Sequence, residues 1–82
     1  MEALLRVAQL RVQGKPDQAL TQVAEELRTA APGKRALLML QGLYAAQEAD
    51  DTGVAHGYAA ELADLAPGLP SLQPYLAPQG AA

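Results

Sequence analysis

Three residues, Gly14-Lys15-Pro16, interrupt two runs of hydrophobic and polar residues that both repeat at helical spacing. Gly takes a positive φ without strain, which suits it to the position just past a helix's last turn. Pro is accommodated at the first position of a helix, because the N–H it lacks has no partner there. Asp17 falls in the first turn after it, where a negative charge suits the helix dipole. A stop and a start two residues apart make the segment the tight joint of a helical hairpin, and Ala19 is small enough to let the two helices approach.

Ahead of the joint, Ala3, Val7 and Leu10 form an i, i+4, i+7 stripe widened by Leu4 and Ala8, with Glu2, Arg6, Gln9 and Gln13 outside it. Behind it, a second helix is expected over about Pro16 to Ala31. Leu20, Val23, Ala24 and Leu27 lie on one side, and Pro32-Gly33 is expected to stop it. The third helix, about Lys34 to Ala49, is apolar nearly all round. Such a helix is normally buried on several sides, so it should be the central helix or part of a partner interface. Gly42 in its middle costs up to about 1 kcal/mol against Ala, which a close backbone approach would explain. Asp51 or Thr52 is expected to cap a fourth helix that carries Val54, Tyr58, Leu62 and Leu65 and ends at Ala66-Pro67-Gly68. In the Pro-rich remainder, Ser71 can cap a short helical turn through Leu76.

The composition agrees. Ile, Phe and Trp are absent and the β-branched residues are few, whereas Ala, Leu, Gln and Glu abound. The expected fold is all-α: two antiparallel helix hairpins, 1–33 and 34–68, forming one domain, with a C-terminal capping segment at 69–82. The chain of 82 residues contains no Cys, which excludes disulfides, thiolate metal sites and Cys nucleophiles. Its net charge is −3, and its six Lys and Arg residues are spread along the chain, against nucleic-acid binding. The longest apolar run, Ala36–Leu40, is far short of a membrane span. The opening MEALLRV has an acid at position 2 and no basic segment, so no secretory signal is read and a soluble, cytoplasmic protein is expected.

The two hairpins look related. Val23–Gly33 aligns with Tyr58–Gly68 at an offset of 35, sharing a terminal Ala-Pro-Gly, and Ala3–Leu10 aligns with Ala36–Leu43 at an offset of 33. Helix–turn–helix units with a period near 34 resemble the tetratricopeptide repeat. The places of that family's turn Gly, small residue, bulky residue and late Pro are taken by Gly14, Ala19, Val23 and Pro32. In the second unit Gly42, Tyr58 and Pro67 are similar, while Ala49 and Val54 stand where the turn Gly and small residue would be. The family's early Trp and first-helix Tyr are missing. The resemblance spans residues 1–68 and implies that the first helix of each hairpin lines a concave groove. That groove would present Leu4, Ala8, Arg11 and Val12 from the first unit. From the second it would present either Met39, Leu43 and Gln47 or Leu37, Gln41 and Tyr44, according to the offset. A groove so apolar suits a hydrophobic helix or extended peptide.

Catalytic and metal chemistry find no foothold. His56 falls on the solvent side of its helix and has no second His beside it in the sequence. Pro32-Gly33-Lys34-Arg35 lacks the upstream Gly and the following Ser or Thr of a phosphate-binding loop. Asp50-Asp51 is not followed by the oxygen ligands of a calcium loop, and Ser71 has no base. The expectation is a non-enzymatic interaction module without cofactor: an adaptor, scaffold or chaperone-like binder of a protein or peptide. The alternative is a self-associating helical module built around its third helix. About three stacked repeats are usually needed for stability, and two are present. Leu69, Leu72, Tyr75 and Leu76 can fold back as a cap, or a second copy or another protein supplies the missing layer. In a longer array the same residues would begin the next helix.

Overall fold

The computed structural model describes residues 2–75. These residues form α1 (Glu2–Val12), α2 (Pro16–Leu27), α3 (Pro32–Glu48), α4 (Thr52–Leu65) and a 3-10 turn at Pro70–Leu72, with no strand among them. The all-helical class follows from the propensities: Ala, Leu, Gln and Glu favour helices, and no β-branched run competes.

The first joint closes as its residues dictate. Gly14 has a φ of 76°, its N–H donates to the Arg11 carbonyl at 3.0 Å, and the Lys15 N–H donates to the Leu10 carbonyl at 2.9 Å. This is the Schellman pattern, in which a residue of positive φ lets two backbone N–H groups turn back onto the last carbonyls of the helix. The second joint makes the same pattern with different residues. Asp50 takes the positive φ, at 59°. Its N–H donates to the Gln47 carbonyl at 3.1 Å, and the Asp51 N–H donates to the Ala46 carbonyl at 2.8 Å. The Asp51 side chain then caps α4 by accepting the Val54 N–H at 3.1 Å. Gly14 and Asp50 are therefore counterparts, at an offset of 36 rather than 35 or 33. At that offset the small residue opposite the buried Ala19 is Ala55, also buried, and not the exposed Val54.

The expected end of α2 is corrected. The helix stops at Leu27, not Ala31, and Pro32-Gly33 opens α3 instead of closing α2. Pro disfavours the helical region for the residue before it, and Ala31 is extended, with φ −65° and ψ 151°. The Arg28 and Thr29 N–H groups tighten to the third carbonyl back, while Arg35 Nη1 donates to the Leu27 carbonyl at 2.9 Å. The second Ala-Pro-Gly does otherwise: Pro67 and Gly68 sit in a turn after α4, and Pro70 is the proline that opens the next helical turn. The shared tripeptide thus serves two different backbone roles.

α3 is the central helix and packs on α1, α2 and α4. Met39, Leu43 and Ala46 point into a core shared with Ala55, Ala59, Leu62 and Leu72. Ala45 joins Val7, Ala19 and Val23 in a second core on the other side. Tyr58 packs against both. Its ring lies over Gly42, where an added Cβ would stand 2.7 Å from Cε2. The expected close backbone approach at Gly42 is corrected: what approaches is the Tyr58 side chain. Burial, with a smaller push from Glu61, raises the Tyr58 phenol above its ordinary pKa.

The start of the tail is part of this core. Leu72 is fully buried, and Leu69 and Tyr75 pack against the cluster formed by α3 and α4. The Ser71 and Tyr44 hydroxyls hydrogen bond at 2.6 Å, and Gln47 Nε2 donates to the Tyr75 hydroxyl at 2.9 Å. Leu76, expected to share this cap, lies outside the described residues.

Candidate functional site

The ten residues expected to line a groove divide sharply. Met39 and Leu43 are 2 % and 0 % exposed. They hold α3 to α4 and present nothing to solvent, so this part of the expectation is corrected. Their positions follow from the offset of 36, which makes Leu43 the counterpart of the equally buried Val7. Gln47 is exposed but lies on the tail's side of α3, bound to Tyr75.

Of the others, Leu4, Ala8, Arg11, Gln41 and Tyr44 lie where α1 meets α3, while Val12 and Leu37 are exposed on α1 and α3. Arg11 organises it. Its Nε and Nη2 donate to the two carboxylate oxygens of Glu48 at 3.0 and 2.8 Å. Its Nη1 donates to Gln41 Oε1 at 2.8 Å, and the guanidinium carbon stands 5.1 Å from the centre of the Tyr44 ring. The planar fork matches a carboxylate in two parallel bonds, which a lysine cannot do. The bond from Arg11 holds the Glu48 carboxyl below the ordinary carboxylate range, and the bond to Glu48 raises the guanidinium. Both charges remain partly in water, so solvent screening limits what the pair adds to stability. It fixes the register of α1 on α3 and leaves the surface there locally neutral.

Beside this polar network α1 carries an apolar stripe that no part of the described chain covers. Leu5 is 59 % exposed and Val12 87 %, one above the other at i and i+7, with Ala8 between them. A shallow groove lined by Leu5, Ala8, Gln9, Val12 and Gln13 runs along one flank, and a second, lined by Glu2, Leu4, Leu5, Ala8 and Gln41, lies toward α3. Leu37 adds a further exposed side chain on α3. Leu5 is the residue that the sequence pattern missed. The signal was there: α1 is apolar over more than the arc that Ala3, Val7 and Leu10 need.

A more enclosed cavity of about 300 Å³ lies between α1, the end of α2 and the start of α3. Leu38, Ala3 and Ala30 are among its walls, with Glu26 and Lys34 the charged members. His56 is exposed and meets the Tyr75 ring edge-on at 4.9 Å between centres. Asp51 is engaged as a helix cap and Ser71 by a phenol. No group of three or more His, Asp and Glu residues is placed to hold a metal among the described residues, and none of their helices is long and apolar enough to cross a membrane. No protein-family model, no curated protein sequence and no solved structure shows significant similarity to the chain.

Proposed function

We propose that this chain is a small protein–protein interaction module of the helical-repeat kind, an adaptor or scaffold without catalytic chemistry. One observation carries the reading: the uncovered Leu5–Ala8–Val12 stripe of α1, set beside the neutral polar network of Arg11, Gln41, Tyr44 and Glu48. Scattered exposed hydrophobics are ordinary on a small protein, but contiguous ones on one helix face mark a contact surface. A helix with an apolar stripe of its own fits this face, with its polar side over α3. The tetratricopeptide-like sequence pattern of residues 1–68 supports the same class of function.

The alternative, a homodimer built around α3, loses its main support. Apart from the exposed Leu37, the large apolar side chains of α3 pack on α1, α2, α4 and the start of the tail within one chain, which favours the α1 surface over α3. The test uses the immobilised chain and a Leu5→Glu/Val12→Glu variant of unchanged helical circular dichroism, both exposed to extract of the source cells. A polypeptide retained by the wild type and lost with the variant is expected. Equal capture by the two, or none by either, would refute the assignment.

A further inference from the structure

We infer that the α1 stripe pairs with the same stripe of a second copy, the two α1 helices running antiparallel about a two-fold axis next to Ala8. The inference rests on the reading of α1 as a binding surface and names its occupant. A two-fold interface must be self-complementary, each patch meeting its own copy. With Leu5 set against Val12 of the second copy, facing positions run in opposite directions along the two helices. Ala8 then meets Ala8 of the second copy close to the axis, where a methyl group permits close approach. On the opposite flank the exposed Gln9 meets its counterpart, and each amide can donate and accept. These are the residues that line the groove along α1.

Charge decides the direction and the occupant. Glu2 begins α1 and Lys15 follows its end, both exposed, and neither has an ion-pair partner among the described residues. Antiparallel pairing brings Glu2 beside Gln13 and Lys15 of the second copy, twice by symmetry, whereas parallel pairing would set Glu2 on Glu2. Of the other cations on α1, Arg11 is already neutralised by Glu48, and Arg6 is exposed one turn from Glu2, so parallel pairing would also set Arg6 on Arg6. The helix dipoles favour the antiparallel arrangement as well. Two short helices crossing once cover less than the roughly 1,200 Å² of a stable interface, so the dimer is weak and depends on concentration.

Because the chain has no Cys, Ala8→Cys introduces a single thiol, and pairing brings two such thiols within disulfide reach. Under mild oxidation this variant should form covalent dimer about tenfold faster than Ala60→Cys, whose thiol is exposed on α4, a preference equivalent to ~1.4 kcal/mol. Glu2→Lys and Lys15→Glu should each weaken association about tenfold in sedimentation, since each change reverses two symmetric contacts. Mixing those two variants should restore it, because every contact in the mixed dimer again joins opposite charges. Equal cross-linking at positions 8 and 60, or a mixture no tighter than its components, overturns the inference. If Leu5→Glu/Val12→Glu abolishes capture of another polypeptide while position 8 shows no preference, the binding surface stands and the second copy falls. If the variant alters neither, both fall.

Discussion

Replacing Gly42 by Ala tests the most crowded contact in the molecule. In an open helix the change is favourable by about 1 kcal/mol, because Gly loses more backbone freedom on folding. Here the new methyl carbon would stand 2.7 Å from Tyr58 Cε2, 3.0 Å from Cδ2 and 3.2 Å from Cζ. Carbon atoms rest at about 3.5–4.0 Å, so the ring must withdraw by roughly 1 Å. Tyr58 is half-buried and packs against both cores, and overpacking of this kind costs about 1–3 kcal/mol. The crowding outweighs the propensity, and Gly42→Ala should destabilise the fold by about 1 kcal/mol. In a domain of this size that lowers Tm by about 4–8 °C.

The second half of the test removes the ring. Tyr58→Val takes away the three ring carbons nearest the methyl group, so in that background Gly42→Ala should be stabilising by up to about 1 kcal/mol. Urea unfolding of the four proteins of the cycle, followed by circular dichroism at low temperature, gives a coupling of about 1–3 kcal/mol. A wild-type protein stabilised by Gly42→Ala, or an effect of equal sign and size in both backgrounds, would show that the ring does not hold Gly42 in place.

Three further outcomes follow from the joints, the tail and the ion pair. Asp50→Gly should stabilise the protein by about 0.5–1 kcal/mol in thermal unfolding, because Asp50 has a φ of 59° that Gly adopts freely. Leu72→Ala should cost about 2–5 kcal/mol, as expected for a fully buried leucine, and a loss under about 1 kcal/mol would show that the tail is not part of the core. Glu48→Gln should lower stability by less than about 1 kcal/mol at neutral pH, because Glu48 is 41 % exposed. The Glu48 carboxyl titrates lower in the folded state than in the unfolded chain. Its contribution is therefore present above the ordinary glutamate range and disappears as pH falls through the depressed value, so the urea midpoints of the two proteins should converge in acid.

Most of the helical order was legible because local chemistry decided it. Gly14 and Pro16 each had one structural role open to them, and both took it. The end of α2 was not legible from periodicity, since Thr29, Ala30 and Ala31 continue a helical pattern. Pro32 decides against them by forcing Ala31 to be extended, a constraint that acts backward along the chain. The second joint was obscured for another reason: Asp can occupy the left-handed region at modest cost, so the turn survives without its glycine. That substitution hid the offset of 36, and with it the burial of Met39 and Leu43. The exposed stripe was half legible. Ala8 and Val12 stood out through the repeat pattern, whereas Leu5 needed the knowledge of which side of α1 the rest of the chain covers.

The offset also bears on why that stripe is uncovered. If α1 were simply an end helix lacking a stacked neighbour, its uncovered apolar residues should fall where α3 meets the preceding hairpin. On α3 that side carries Leu38 and Ala45, which face α1 and α2. Their counterparts on α1 are Glu2 and Gln9, both polar and exposed. Leu5, Ala8 and Val12 correspond to Gln41, Tyr44 and Glu48, which also meet α1, through Arg11. Another hairpin stacked on α1 as α1–α2 stacks on α3 would therefore meet the polar pair and the apolar stripe together. The stripe lies on the face that such a neighbour would cover.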